Sequence, residues 1–296
     1  MSTVPPTHDS IKHDVDYAFS CFDAYMRLFP RERVPHAHMC EIGPGKNLAV
    51  SLVWKSLGAE RVYVADKYLK PWTADYHPLL YAALATVVAQ RWPEADMSVF
   101  EQAQEGHDIE GIFPLSEDAE HLESIPDGSL DFIGSNAVLE HLYDPPRAFA
   151  RLSQITRPGG LGLHQVDFRD HRDFSRPLEF LLHHYRWNEE PDEETFAWLA
   201  SRFGRSAEQE RRENFDAKWL IRRTCGHHGN SYRPGEYANL WETHRFQILS
   251  VDYNIHADAA YLEDFLPRLL AARTPCATLS REELGRISAR YEVRKI

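Results

Sequence analysis

Residues 36–66 read HAHMCEIGPGKNLAVSLVWKSLGAERVYVAD, and they decide the fold. HAHMCEIG is a short apolar run with the look of a buried strand. It ends in the turn Gly43-Pro44-Gly45. LAVSLVWKSLG then has helical spacing and closes on Gly58, a good helix stop. RVYVAD is rich in valine and alternates, as a second strand does. Strand, glycine turn, helix and strand in this order open a parallel α/β sheet.

The pattern continues outward in both directions. Upstream, residues 11–29 carry Val15, Phe19, Phe22, Met26 and Phe29 at helical intervals, before Pro30 and Pro35 break the chain. Downstream, 77–92 reads as a helix and MSVFEQA (97–103) as a third strand. SLDFIGS (129–135) follows the turn Pro126-Asp127-Gly128 as a fourth strand. PPRAFARLSQIT (145–156) is a helix with proline at its start, where a missing N–H costs little. Arg157-Pro158-Gly159-Gly160 is a tight turn, and LGLHQVDF (161–168) a fifth strand. Residues 169–235 lose the strand pattern and read as a helical insertion. A helix at 237–246 and a sixth strand at 246–255 follow. Another helix (261–273), a capping-box signal at Ser280–Glu283 and a last strand at 287–296 complete the chain. The expected fold is a Rossmann-like α/β domain: seven mostly parallel strands, helices on both faces, and a helical cap. The expected organisation is one domain over 1–296, with an N-terminal helical extension over 1–35 and an acceptor-binding cap over 169–235.

Composition narrows the function. The chain has 296 residues, 33 Lys+Arg against 45 Asp+Glu, and a net charge of −12, which opposes a general nucleic-acid binder. No apolar run approaches the roughly 18 residues that span a bilayer. The polar start, with Pro5 and Pro6, is unlike a secretory signal. Four widely spaced cysteines, Cys21, Cys40, Cys225 and Cys276, spell neither a zinc site nor a disulfide framework. A cytoplasmic protein is expected, with a homodimer left open.

The chemistry concentrates at the glycine turn. Glycines two apart let a ligand approach the backbone, and a strand feeding a helix points N–H groups at it. Asp66, ending the second strand, stands where an acid accepts hydrogen bonds from ribose hydroxyls. A dinucleotide fingerprint would need a third glycine where Leu48 stands, and Glu41 would repel a pyrophosphate. Glu41 suits a cationic ligand instead.

Five stretches in order, EIGPGKN (41–47), VYVAD (62–66), SEDAEHL (116–122), LDFIGSNAVLEHLYDP (130–145) and RPGGLGLHQVDF (157–168), resemble class I S-adenosylmethionine-dependent methyltransferases. The resemblance covers about half the chain. It implies S-adenosylmethionine as cofactor, with the turn Gly43-Pro44-Gly45 beside its methionine part and Glu41 helping to hold its charged end. Asp66 would bind the ribose, flanked by Lys67. Asp118 would face the adenine amino group and Ala119 would offer its N–H. Asn136 and Ala137 would line the donor-methyl side. Asn47 departs from the small residue many members carry there, and asparagine tolerates turns. Looser likeness of 164–181 and 229–252 to methyltransferases of polysaccharide and natural-product pathways suggests a small-molecule or glycan-like acceptor. The alternatives are a binding protein of the same fold without turnover, and a nicotinamide-dependent enzyme.

Methyl transfer to a hydroxyl needs a base, and histidine suits that task near neutral pH. The fifth strand delivers His164, Asp167, Asp170 and His171. His164 or His171 is the expected base, with Asp167 orienting it. Strand alternation sends these neighbours to opposite faces, so no metal site is expected from the four. The arginines of 202–223 read as a helix face paired with its own acids rather than as a grip on an anionic acceptor.

Overall fold

The computed structural model describes residues 6–213 and 216–296. The first five residues of the expected N-terminal extension, and residues 214–215 of the insertion, lie outside them.

Seven strands form one sheet: β1 (His38–Ile42), β2 (Arg61–Ala65), β3 (Ile112–Leu115), β4 (Leu130–Asn136), β5 (Thr156–Asp167), β6 (Phe246–His256) and β7 (Arg286–Lys295). Their order is β3-β2-β1-β4-β5-β7-β6. The first five run parallel, and β7 is antiparallel to both β5 and β6. The order reverses between β1 and β4, and the C-terminal ends of parallel strands at such a switch point form a crevice.

Period-two alternation sorts the side chains to two cores. On one face Met39, Val62, Val64 and Phe132 pack under α1 (His8–Leu28), α2 (Ala49–Ser56), α3 (His77–Arg91) and α4 (Ser98–Glu105). On the other, Cys40, Ile42, Tyr63 and Ile133 meet α5 (Pro145–Ile155) and α9 (Pro234–Thr243). α1 is held as its sequence demands. Thr7 caps it by accepting from Ser10 N–H, and Ile11, Val15, Phe19, Phe22 and Tyr25 form its buried stripe. α5 starts with Asp144 accepting from Arg147 N–H, ahead of two prolines.

The insertion supplies α6 (Glu193–Ser201), α7 (Ala207–Glu213) and α8 (Ala217–His228). It shares a third apolar cluster with α10 (Ala259–Ala272). Leu178, Phe180, Leu199, Leu220 and Ile221 meet Phe265 and Leu269 there. α11 (Arg281–Gly285), capped by Ser280, leads into β7. Among the described residues no helix is long and apolar enough to cross a membrane.

Two expectations are corrected. Residues 97–103, expected as the third strand, are the N-cap Met97 and the start of α4, where Val99, Phe100 and Ala103 share one buried face. The apolar run was too short to separate the two periods. The third strand is instead Ile112–Leu115. It is four residues long, contains Pro114 and pairs with β2 alone. Proline is tolerated on such an edge, where its missing N–H breaks no ladder. The Arg157–Gly160 turn is also absorbed into β5 as an irregularity opposite β4, where Leu130 pairs with Thr156 and Phe132 with Leu161.

Candidate functional site

The crevice beyond β1, β2 and β4 is shaped first by backbone. Gly43 and Gly45 have φ of 71° and 75°, a region L side chains avoid. A Cβ on Gly43 would collide with Cγ2 of Val138. Asn47 turns the chain into α2, its Oδ1 accepting from Ala49 N–H at 3.0 Å while its Nδ2 donates to the Tyr76 hydroxyl at 3.1 Å. Leu48 is buried in the α1–α4 core, so no ligand approaches the backbone through that position. This disfavours a dinucleotide.

A cavity of about 250 Å³ opens beside the turn. Gly43 and Gly45 bound it below. Asp66 and Lys67 come from the end of β2, Asp118 and Ala119 from the loop after β3, and Ala137, Val138 and His141 from the segment after β4. Asp66 Oδ1 accepts from Tyr68 N–H at 2.7 Å, which fixes the carboxylate at the rim. Asp118 is bridged by Lys67 at 3.3 Å and by Arg222 of α8 at 3.5 Å. The insertion therefore reaches over this end, and Gly226 completes the wall. Ala137 holds φ of 55°, a strained setting for a non-glycine residue at the mouth of a site.

Across the turn lies a second cavity of about 320 Å³, between α1 and the glycine turn. Tyr17, Glu41, Lys46, Asn47 and Asn136 line it. Asn136 Nδ2 donates to the Tyr17 hydroxyl at 2.5 Å. Glu41 is buried, and that burial pushes its carboxyl up to about 7, against the hydrogen bond it accepts from Ser51 Oγ at 2.8 Å. A carboxylate held this way gains most from a cation placed beside it.

The residues expected to serve as base separate. His164 lies away from both cavities. Its ring is buried 4.8 Å from Trp241, Nδ1 is hydrogen-bonded to Ser135 Oγ at 2.7 Å, and burial lowers its pKa to about 3. It faces the α5–α9 core, where it fills space. Asp170 is also buried, clamped by the Arg202 guanidinium. His171 and Asp167 do come together, with Nε2 3.7 Å from Oδ2, and Arg169 grips Asp167 with paired hydrogen bonds.

A third histidine joins them. His141 follows β4 in the Leu139-Glu140-His141 segment, and its ring centre is 4.8 Å from that of His171. Its Nδ1 donates to the Cys225 carbonyl at 3.1 Å, so α8 sets the ring's orientation. Burial holds both histidines below their usual pKa. Beneath them Glu140 is almost fully buried, and burial raises its carboxyl well above the ordinary range. Its position in the quoted LEHL stretch was the available signal. The insertion's arginines are largely paired, Arg211 with Glu193 and Arg212 with Glu208, as a solvated helix face would have them.

Residues 11–251 match a family described as a methyltransferase domain. No curated protein matches the sequence. Among solved structures, the chain is similar to an S-adenosylmethionine-dependent methyltransferase from Mesorhizobium loti, at 17% identity over 92% of this chain and 96% of that one, with a TM-score of 0.47. It is also similar to phosphoethanolamine N-methyltransferase 2 from Haemonchus contortus, at 12% identity over 98% and 57%, with a TM-score of 0.47. A third is geranyl diphosphate C-methyltransferase from Streptomyces coelicolor, at 11% identity over 99% and 86%, with a TM-score of 0.46.

Proposed function

The chain belongs to the methyltransferase-domain family, as an enzyme of the S-adenosylmethionine-dependent class, and from that premise we propose that it methylates an oxygen of a small-molecule or glycan-like acceptor. The observation that carries the reading is the cavity that joins Gly43, Gly45, Asp66 and Asp118 at one end to His141 at the other.

The residues suit the cofactor in three ways. The Gly43–Gly45 turn lacks the Cβ atoms that would fill its cradle. The buried Glu41 carboxyl, beside the same turn, favours a positively charged ligand. In this reading Asp66 accepts from the ribose hydroxyls, and Asp118 with Ala119, which line the same cavity, meets the adenine. When bound, S-adenosylmethionine supplies a methyl group activated by a sulfonium.

The chain's own work is alignment, water exclusion and proton handling. Asn136, Ala137 and Val138 shape the donor-methyl side. His141, His171 and Asp167 form the acceptor side, where the acceptor's proton is lost. Neutral imidazoles are prepared to receive it, and Asp167, pinned by Arg169, steadies His171. The helices of 169–235 close the site as a cap within a single domain. Four free thiols support a cytoplasmic setting.

Isothermal titration tests the reading. S-adenosylmethionine should bind at one site with micromolar affinity, and absence of binding up to millimolar concentration would overturn it.

A further inference from the structure

The floor of the acceptor side holds more than a base requires. Among the described residues, Glu140, His141 and His171 bring one ligand-type atom each to within 4.8 Å of one another. Glu140 is 1% exposed, and neither carboxylate oxygen has a side-chain hydrogen-bond partner. The backbone N–H groups of Glu140 and Asp167 offset part of the cost of burying that carboxyl, and a cation would offset the rest. His171 Nε2 is likewise buried without a hydrogen bond, since Asp167 stands off at 3.7 Å. His141 already spends Nδ1 on the Cys225 carbonyl, which leaves Nε2 free and the ring fixed. Imidazoles that bind metals are oriented in this way, one nitrogen to a backbone carbonyl and the other to the ion.

We propose that Glu140, His141 and His171 form a binding site for a divalent cation of the zinc class. Two imidazoles and one carboxylate, with a face open to a cavity, match the ligand set of catalytic zinc sites, whose remaining position takes water or substrate. Imidazole ligands favour Zn²⁺ over Mg²⁺ and Mn²⁺, which prefer oxygen. Tetrahedral ligand bonds of about 2.1 Å set neighbouring ligand atoms about 3.4 Å apart, so atoms as far as 4.8 Å from one another must close by about 1.4 Å, which rotation of the side chains has to supply. The function of the site rests on the reading of this cluster as the acceptor side. With the two imidazoles taken up as ligands, Asp167 replaces them as the proton acceptor, and an acceptor hydroxyl ligated to the cation loses its proton to it. Its oxygen then bonds to the methyl carbon as the carbon–sulfur bond breaks, and that electron pair stays on sulfur. The cation keeps its oxidation state throughout.

The test uses the full chain, free of any affinity tag and stripped with a chelator. Zn²⁺ is titrated by calorimetry, with Mn²⁺ and Mg²⁺ for comparison, and bound metal is counted after dialysis. The expected result is one equivalent of Zn²⁺ per chain at micromolar affinity or tighter. His171→Ala and Glu140→Gln should each weaken it at least tenfold, and His227→Ala should leave it unchanged. Weak or multiple Zn²⁺ binding, or binding that both site variants retain, would overturn the proposal. S-adenosylmethionine titration of the same samples confirms that each variant is folded. If Glu140→Gln fails that check, the partly exposed His171→Ala decides. The two readings fail separately. Cofactor binding without stoichiometric Zn²⁺ removes the metal site alone, and Zn²⁺ binding without cofactor removes the methyltransferase reading alone.

Discussion

The two ends of the crevice are built on different principles. The proposed cofactor end is made of backbone turns and single acids at the C-terminal ends of β1, β2 and β3, each local in sequence. The proposed acceptor end is assembled from 140–141 and 167–171, which follow the paired strands β4 and β5, and from the carbonyl of Cys225, which the insertion lays across them. The first can be read from spacing because a strand must end where its turn begins. The second depends on how α8 lies across the sheet, which no local pattern states. A site can therefore declare its cofactor in sequence while concealing what the cofactor is used on.

The largest expected effect separates the two ends. His171→Ala should lower kcat by about 10²–10⁴-fold, the usual range for loss of a proton-handling group, and leave S-adenosylmethionine affinity within twofold. Release of S-adenosylhomocysteine with an accepted substrate measures the first, calorimetry the second. Equal losses in both would mean that the ends are one structural unit. Next, Asp66→Ala should weaken cofactor binding by about 10–100-fold, since hydrogen bonds to a charged group contribute about 1.5–3 kcal/mol. Unchanged affinity would take Asp66 out of the site.

His164→Ala draws the boundary from the other side. Buried against Trp241, the ring contributes packing and one hydrogen bond. Its loss should cost about 2–4 kcal/mol in denaturant unfolding, with cofactor affinity preserved in the folded fraction. A variant that kept its stability and lost only turnover would restore His164 as a base.

A smaller effect concerns pH. The carboxyl of Glu41 in the folded chain titrates near 7, above its unfolded value. Between the ordinary carboxylate range and 7 the native state therefore holds more protons than the unfolded one. Stability from this group falls as pH rises through that window. A bound sulfonium or ammonium favours the carboxylate, so affinity should tighten by up to about tenfold from pH 6 to pH 8, with proton release on binding. Glu41→Gln should flatten the dependence. The smallest effect belongs to Arg222→Ala. Its exposed bridge to Asp118 is a screened ion pair, and its removal should shift cofactor affinity by no more than about two- to threefold.

The same contrast governs how much the sequence could tell. The helix, glycine turn and strand of 36–66 were legible because capping, glycine and alternation agree there. The third strand was not. Four residues with a proline leave no period to detect, while 97–103 imitated one. Gly43, Gly45, Asp66, Asp118 and Ala119 were each readable and do line one cavity. His164 misled because alternation in β5 assigns faces without saying which face meets the crevice. His141 was in plain sight after β4, but its pairing with His171 is a tertiary fact.

A crystal structure with bound S-adenosylhomocysteine tests the central claim most directly. The account predicts the ribose hydroxyls on Asp66, the adenine beside Asp118 and Ala119, and the sulfur facing His141 and His171. A ligand whose ribose lies away from Asp66, or whose sulfur turns from the histidines, would contradict it.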